Sequence, residues 1–467
     1  MKRIAVIGGG ISGVTAAWQL ARERAAGRSV EFTLYEAEAR LGGTVETERR
    51  DGFVMECGPD SWVTEKPWAR ELAEELGLAG EMIASNDAIR RTYLLRDGRL
   101  VALPGSMRMM VPVDLEAIAD SPLFSETARA AYRQEPERAA ELQATALAEG
   151  RDESVASFVR RHFGEEVTRT VAAPLLAGVF GGNVETLSVR AVMAPFVKME
   201  REHGSLILAL QRGRAPAGGA QNSVFTTLKP GLGTFVEAMA REIAPETVRL
   251  RTPVEGILKS GGRWQVRTAE GAEEFDAVFV ATPAHETRRL MEALDAEAAG
   301  LLRMDASSAV VVALAFDAER ARGLEIPEGF GYLVPPQDAG EDSLLACTFV
   351  DQKFGHRAPE GGVLLRAFFG SRAAGRLMEL SDEVVMARAR EQMALAVGEL
   401  PEATHGLVRR WPLSLPQYAV GHLDRMQELE ERVAELPGLR LLGNSYYGVG
   451  LPDLMQRARA AARDALG

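Results

Sequence analysis

The stretch Ile4-Ala5-Val6-Ile7-Gly8-Gly9-Gly10-Ile11-Ser12-Gly13 sets a strand-like apolar run directly against a glycine turn and the start of a helix. That helix begins near Ser12 and runs to about Arg24. A second strand, Val30-Glu31-Phe32-Thr33-Leu34-Tyr35, then ends at Glu36. Strand, turn, helix and strand in this order make the opening of a βαβ unit. The glycines follow the spacing Gly8-x-Gly10-x-x-Gly13. The first permits a tight turn, the second lets backbone approach a pyrophosphate, and the third lets helix pack on strand. The helix N-terminus offers free N–H groups and the positive end of its dipole to phosphate. Glu36, roughly 20 residues beyond Gly13, stands where a carboxylate accepts ribose hydroxyls. An acid at this place disfavours a 2′-phosphate, which leaves FAD or NAD rather than NADP.

The chain has 467 residues, 46% hydrophobic and 26% charged, with a formal net charge of −12 and only six lysines. That is the make-up of a globular protein with a sizeable core, in two intertwined domains or three. An acidic chain without a basic tail is a poor fit to nucleic acid. Cys57 and Cys347 cannot build a disulfide framework and sit in no metal-binding pattern, which points to a reducing, cytoplasmic setting. Met1 leads straight into the first strand and leaves no room for a cleavable signal. No apolar run approaches the roughly 18 residues of a spanning helix. The runs at 171–180 and 309–316 suit buried core instead.

Further along, a helix is expected over 67–76, capped by Thr64 and closed by Gly77. Apart from Pro112, Pro122 and Pro136, residues 110–160 are rich in Ala, Glu and Arg at helical spacing and predict several surface helices. Helix-like segments continue to about 210. Strands are expected at 248–250, 262–266, 277–281, 310–316 and 363–369, then a long helix over 382–397. The end reads as a strand at 439–442, Gly443, and a helix from about Leu451. Nucleotide-like elements thus stand at both ends and around 230–290, with a different α+β composition between. This predicts a discontinuous dinucleotide domain with a second domain inserted twice.

The residues after Glu36 separate FAD from NAD. Arg40-Leu41-Gly42-Gly43-Thr44 resembles the second glycine motif of FAD-dependent amine oxidases, where Arg-x-Gly-Gly follows the ribose-binding acid. Its glycines let the chain pass close to the cofactor diphosphate. Further stretches resemble, in order, the landmarks of the oxygen-dependent protoporphyrinogen/coproporphyrinogen oxidase family of haem biosynthesis. They are residues 52–61, Glu153-Ser154-Val155-Ala156-Ser157-Phe158 with Arg160-Arg161-His162-Phe163-Gly164, and residues 174–183. Residues 187–188, 198–203, 228–232, 411–418 and 443–453 follow. The resemblance covers essentially the whole chain. Gly204, where the family usually has arginine, and Leu454-Met455, where it has Cys-Ile, depart from the pattern.

The resemblance implies an α/β flavoprotein with two dinucleotide-type domains. A Rossmann-like FAD domain would take residues 1–85, 225–290 and 435–467, and an α+β substrate domain 86–110 and 291–434. A helical insertion would take 111–224. It implies non-covalent FAD, since no cysteine suited to tethering lies near the C-terminus. The FAD would be held by Gly8, Gly10, Ser12, Gly13, Glu36, Arg40, Gly42, Gly43, Thr44, Gly58, Pro59, Asp60, Ser61, Val254, Trp411, Gly443, Val449 and Gly450. For the substrate it implies Arg91, pairing with a propionate, Leu333 and Phe368, sandwiching the macrocycle, and Gly178, whose backbone approaches a pyrrole. A guanidinium suits the first task because it binds carboxylate bidentately and stays charged.

The implied reaction removes six electrons from a porphyrinogen by hydride transfer to the flavin, three times over, with dioxygen as acceptor and hydrogen peroxide as product. No side-chain nucleophile, triad or metal site is needed, and His162, His203 and His285 read as structural or surface. Residues 198–203 and 411–418 favour protoporphyrinogen IX, with coproporphyrinogen III as the alternative. An amine oxidase is the alternative of another class, disfavoured because residues 308–316 carry no lysine, although Tyr446-Tyr447 resembles its aromatic pair. A non-catalytic porphyrin carrier would bind without consuming oxygen. Relatives dock on membranes through the helical region, but residues 113–150 show neither an apolar nor a basic face. At most peripheral membrane contact is expected, and a homodimer stays open.

Overall fold

Ile4, Val6 and Leu34 alternate with Ala5, Ile7 and Tyr35 along the first two strands, so both faces of each strand are apolar. Such strands belong in the middle of a covered sheet. The computed structural model, which describes residues 1–213, 223–336 and 338–467, puts them in a five-stranded parallel sheet. Its order is Val248–Arg249, Val30–Tyr35, Lys2–Ile7, Ala277–Val280 and Leu439–Leu441. Ile4 pairs with Phe32 on one side and Ala277 on the other. One face packs on the helices Ile11–Ala25, Gly233–Glu242 and Leu451–Asp464, around Trp18 and Phe235. The other meets a three-stranded antiparallel sheet spanning residues 254–275, around Trp264. Since the strands are parallel, Gly8, Glu36 and Gly443 all follow strand C-termini, the edge where open α/β sheets bind ligands.

A seven-stranded sheet holds the chain between. Its order is His405–Pro416, Ala306–Phe316, Val363–Gly370, Ala346–Phe349, Gly331–Leu333, Thr92–Arg96 and Arg99–Ala102. Val310, Val312 and Leu314 face the long helix Asp382–Val397 through Val385, Ala389 and Met393. On the opposite face Ala313, Ala315 and Leu364 pack on Phe53, Met55 and Cys57, which follow the glycine turn of residues 40–44. The cofactor-side segment therefore lies directly on the second sheet.

The helical region has a core of its own. Its helices include Glu126–Gln134, Ala139–Thr145, Val155–Val167 and Ala173–Phe180. Tyr132, Leu142, Phe158 and Phe163 are fully buried there, while most other residues of Glu126–Gln134 and Ala139–Thr145 stay exposed or half-buried, so the expected surface helices each pack one face on this core. A π-helical turn, Thr168–Ala172, joins the last two. Gly204 closes the helix Ala194–His203 at φ +70°, and a β-carbon there would lie 1.8 Å from the Ala139 carbonyl oxygen. No arginine fits, which explains that departure from the family. Residues 214–222 of the expected 111–224 insertion lie outside the described residues.

The expected helix at 67–76 is observed as Trp68–Glu75, with Pro67 rather than Thr64 at its N-terminus. Thr64 instead bonds its hydroxyl to that of Thr226 at 2.7 Å. Among the described residues no helix is long and apolar enough to cross a membrane.

Candidate active site

Gly10 precedes the first helix with no side chain capping its N–H groups, and a β-carbon on Gly10 would meet nothing within 4 Å. The positive end of the helix dipole thus faces open space. Gly13 is packed so tightly that a β-carbon would stand 1.8 Å from the Gly8 carbonyl oxygen. Ser12 beside it is 4% exposed. The second glycine turn closes on the first: the Gly42 N–H donates to the Gly9 carbonyl at 2.7 Å, and Gly43 sits against Gly10. Gly43 and Thr44 are exposed. Two glycine backbones at an uncapped helix N-terminus fit a diphosphate in both space and charge.

Glu36 holds the geometry from the neighbouring strand end. Its carboxylate accepts the Gly9 N–H at 2.5 Å and the Glu38 N–H at 2.7 Å. The Thr252 N–H donates to the Glu36 carbonyl at 2.8 Å, which brings Val254, 6% exposed, alongside. Arg40 turns back on its own loop, donating to the Leu41 carbonyl at 3.1 Å and to Glu46 at 3.0 Å, with its guanidinium over the Trp411 ring. Trp411 donates from its indole nitrogen to the Cys57 carbonyl at 2.7 Å. Both residues brace the cofactor segments against each other.

Gly58 lies backbone to backbone on this loop, for a β-carbon there would stand 2.1 Å from the Thr44 carbonyl oxygen. Pro59 and Ser61 follow, half-buried. The Asp60 carboxylate is taken up by the protein: Lys353 stands 3.0 Å and Arg366 3.1 Å away, and the Ser61 hydroxyl donates at 2.7 Å. Burial alone would raise the Asp60 carboxyl, but Lys353 and Arg366 outweigh it and hold it well below the usual range. Lys353 and Arg366 are functional candidates that the sequence reading missed. The available signal was an arginine inside the apolar run 363–369 and one of only six lysines.

At the C-terminal end, Gly443 adopts φ +120° and Gly450 precedes the helix Leu451–Asp464 without a side-chain cap. Val449 between them is half-buried. The Gly448 N–H donates to the Tyr418 hydroxyl at 3.0 Å, and that hydroxyl donates to the Asn444 carbonyl. His422 stacks on Tyr418 with ring centroids 4.1 Å apart and bonds the Tyr446 carbonyl through Nε2 at 2.7 Å. Burial pulls its pKa down to about 4, so it is a neutral prop for this loop.

Of the residues expected to hold substrate, Leu333 and Phe368 lie together on the second sheet. Val311, Phe368, Ala346, Leu333 and Leu94 are paired in register across five strands and so share one face. Gly178 confronts this row from the helix Ala173–Phe180, 3.4 Å from Leu333 as measured to an added β-carbon. The Arg366 guanidinium lies 4.6 Å from the Phe368 ring centre, linking the row to Asp60. Arg91 is not brought there. It precedes the strand Thr92–Arg96, is 57% exposed and pairs with Glu328 at 3.4 Å. An arginine doublet at a strand start does not reveal which face it will take.

Tyr446 is buried with its hydroxyl 3.4 Å from Thr287, and Tyr447 lies under Arg457, so neither forms an aromatic pair on the row. Among the described residues no group of His, Cys, Asp and Glu could hold a metal ion. His162 is buried between Glu135 and Glu200, while His285 is exposed and His203 partly so.

Residues 11–466 match the family described as flavin containing amine oxidoreductase. The chain is 32% identical over 473 residues to the coproporphyrinogen III oxidase of Bacillus subtilis (strain 168), covering 100% of this chain and 98% of the relative. It is 30% identical over 497 residues to the protoporphyrinogen oxidase of Bos taurus, with coverage of 100% and 98%. Among solved structures, the cyclohexylamine oxidase of Brevibacterium oxydans IH-35A superposes with TM-score 0.69 at 15% identity, covering 100% of this chain and 98% of that one, which shows the shared fold.

Proposed function

Because the chain belongs to the flavin containing amine oxidoreductase family, we propose that it is an FAD enzyme of haem biosynthesis that oxidises a porphyrinogen to a porphyrin. The observation that carries this is the in-register apolar row of Phe368, Ala346 and Leu333 facing Gly178, joined through Arg366 to the cofactor segment at Gly58. A flat macrocycle needs such a wall and a facing gap rather than a pocket of nucleophiles. Relatives named for this oxidation match from end to end.

Coproporphyrinogen III is the substrate this reading favours, since the Bacillus subtilis relative aligns with fewer added positions than the Bos taurus one. The stretch at 198–203 does not argue the other way, for Lys198 is 75% exposed and pairs with Glu202 on the helical region. Protoporphyrinogen IX is the second reading, supported by the Bos taurus relative.

The flavin, when bound, supplies the two-electron acceptor. This chain supplies position. Gly10, Gly42 and Gly43 cradle the diphosphate, Glu36 takes the ribose, and the closing helix presents a second uncapped N-terminus. Phe368 and Leu333 orient the ring and exclude water, and Gly178 leaves room for it. Three rounds remove six electrons and six protons, matched by three dioxygen reduced to three hydrogen peroxide. Anaerobic titration of the yellow protein with each porphyrinogen separately tests the reading. Coproporphyrinogen III is expected to bleach the flavin fastest; faster bleaching by protoporphyrinogen IX would favour the second reading, and bleaching by neither would overturn the proposal.

A further inference from the structure

Five charged side chains meet beneath the segment that joins the two glycine turns to the second sheet: Glu56, Asp60, Lys353, Arg357 and Arg366. All are buried, with side-chain exposures from 0% to 11%. Glu56 pairs with Arg357 at 3.3 Å, while Asp60 is shared by Lys353 and Arg366. Two carboxylates against three cations leave one positive charge in excess. Nε of Arg366, and Nε and Nη1 of Arg357, are buried with no hydrogen-bond partner among the described residues. The protein keeps these donors out of water without satisfying them, which is costly unless a negative charge arrives nearby.

Its place is informative. Arg366 donates to the carbonyls of Glu56 and Gly58, both at 3.2 Å, and Gly58 lies against Thr44. The same guanidinium covers the Phe368 ring. The excess charge therefore sits between the turn that cradles the diphosphate and the row that faces substrate. A dinucleotide with its ribose held at Glu36 and its diphosphate at the glycine turns would extend its redox-active ring along that span.

We propose that the Lys353–Asp60–Arg366 group sets the reduction potential of the bound flavin, its uncompensated positive charge favouring the reduced, negatively charged form. The role concerns the cofactor alone and holds whichever porphyrinogen, or other donor, is the substrate. Lys353 and Arg366 act as positioning residues for charge and take no part in proton transfer.

The test is the flavin reduction potential of the holoenzyme without substrate, by anaerobic equilibration with reference dyes. FAD content and circular dichroism establish that each variant is loaded and folded. Lys353→Met removes a cation and is expected to shift the reduction equilibrium toward oxidised flavin about tenfold, about 30 mV for a two-electron couple. Asp60→Asn removes an anion and is expected to shift it as far the other way. The double variant restores the wild-type charge and should return to the wild-type potential, and Arg366→Lys, which keeps the charge, should hardly move it. If Lys353→Met does not load FAD, Asp60→Asn and the double variant carry the decision. Loaded single variants with wild-type potentials, or with shifts of the same sign, overturn the proposal.

Discussion

Leu333 Cδ2 stands 3.4 Å from where a β-carbon on Gly178 would sit. An alanine therefore fits the folded chain, and relieving a helical glycine of its entropy should stabilise the protein by about 0.5–1 kcal/mol. In the proposed function the same methyl group would narrow the gap meant for the macrocycle. Overpacking of about 1 kcal/mol or more would raise KM roughly fivefold or more. Gly178→Ala is thus expected to raise Tm while raising KM, in thermal melts and steady-state kinetics on one preparation.

Glu36 shapes the glycine turn through the Gly9 N–H, and in the proposed function its carboxylate also takes the ribose. Losing charge-assisted hydrogen bonds costs about 1.5–3 kcal/mol, so Glu36→Ala should bind FAD roughly 10- to 150-fold more weakly. Reconstitution of apoprotein followed by flavin fluorescence measures this. Affinity equal to wild type would place the ribose elsewhere.

Arg91 and Glu328 form an exposed pair. Such pairs contribute about 0–1 kcal/mol, so Arg91→Ala should leave Tm nearly unchanged and move KM by less than about fivefold. A larger rise in KM with kcat maintained would mean that a substrate carboxylate reaches this arginine.

Stability should depend on pH through His162. Burial alone would lower its pKa, but hydrogen bonds and charge from Glu135 and Glu200 outweigh that and raise it above 6.5. A raised histidine contributes fully below its unfolded value and loses its contribution as pH climbs through the folded one. Burial would also raise Glu200, but His162 and Arg161 lower it below 4.5, so its contribution is lost on acidification instead. Tm is therefore expected to fall as pH rises above about 6.5, and His162→Gln should flatten that limb of the profile. An unchanged slope in the variant would remove His162 as its source.

The region from Gly8 to Glu36 was legible because a 1.8 Å approach at Gly13 admits one residue type and because the strands on both sides are apolar on both faces. The in-register row was legible only as single apolar residues. Its strands lie far apart in the chain, and pairing order leaves no local pattern. Lys353 and Asp60 are separated by 293 positions, and an ion pair at that distance has no periodicity to find. Only the folded chain brings them together. Thr64 shows the limit from the other side: a good capping residue was claimed by Thr226, a partner 162 residues away.

The π turn Thr168–Ala172 has a consequence for how this protein can vary. A wide turn accommodates an extra residue within a helix, and each residue in an α-helix advances the face by about 100°. Removing that extra residue would leave plain α-helix and keep Gly178 opposite Leu333, so a one-residue change in chain length is absorbed at this turn. The same deletion in the regular helix between Ala173 and Gly178 would instead turn the face by about 100° and bring Val179 toward the position of Gly178. The turn thus acts as a slack link that shields the spacing opposite Leu333 from changes in chain length upstream.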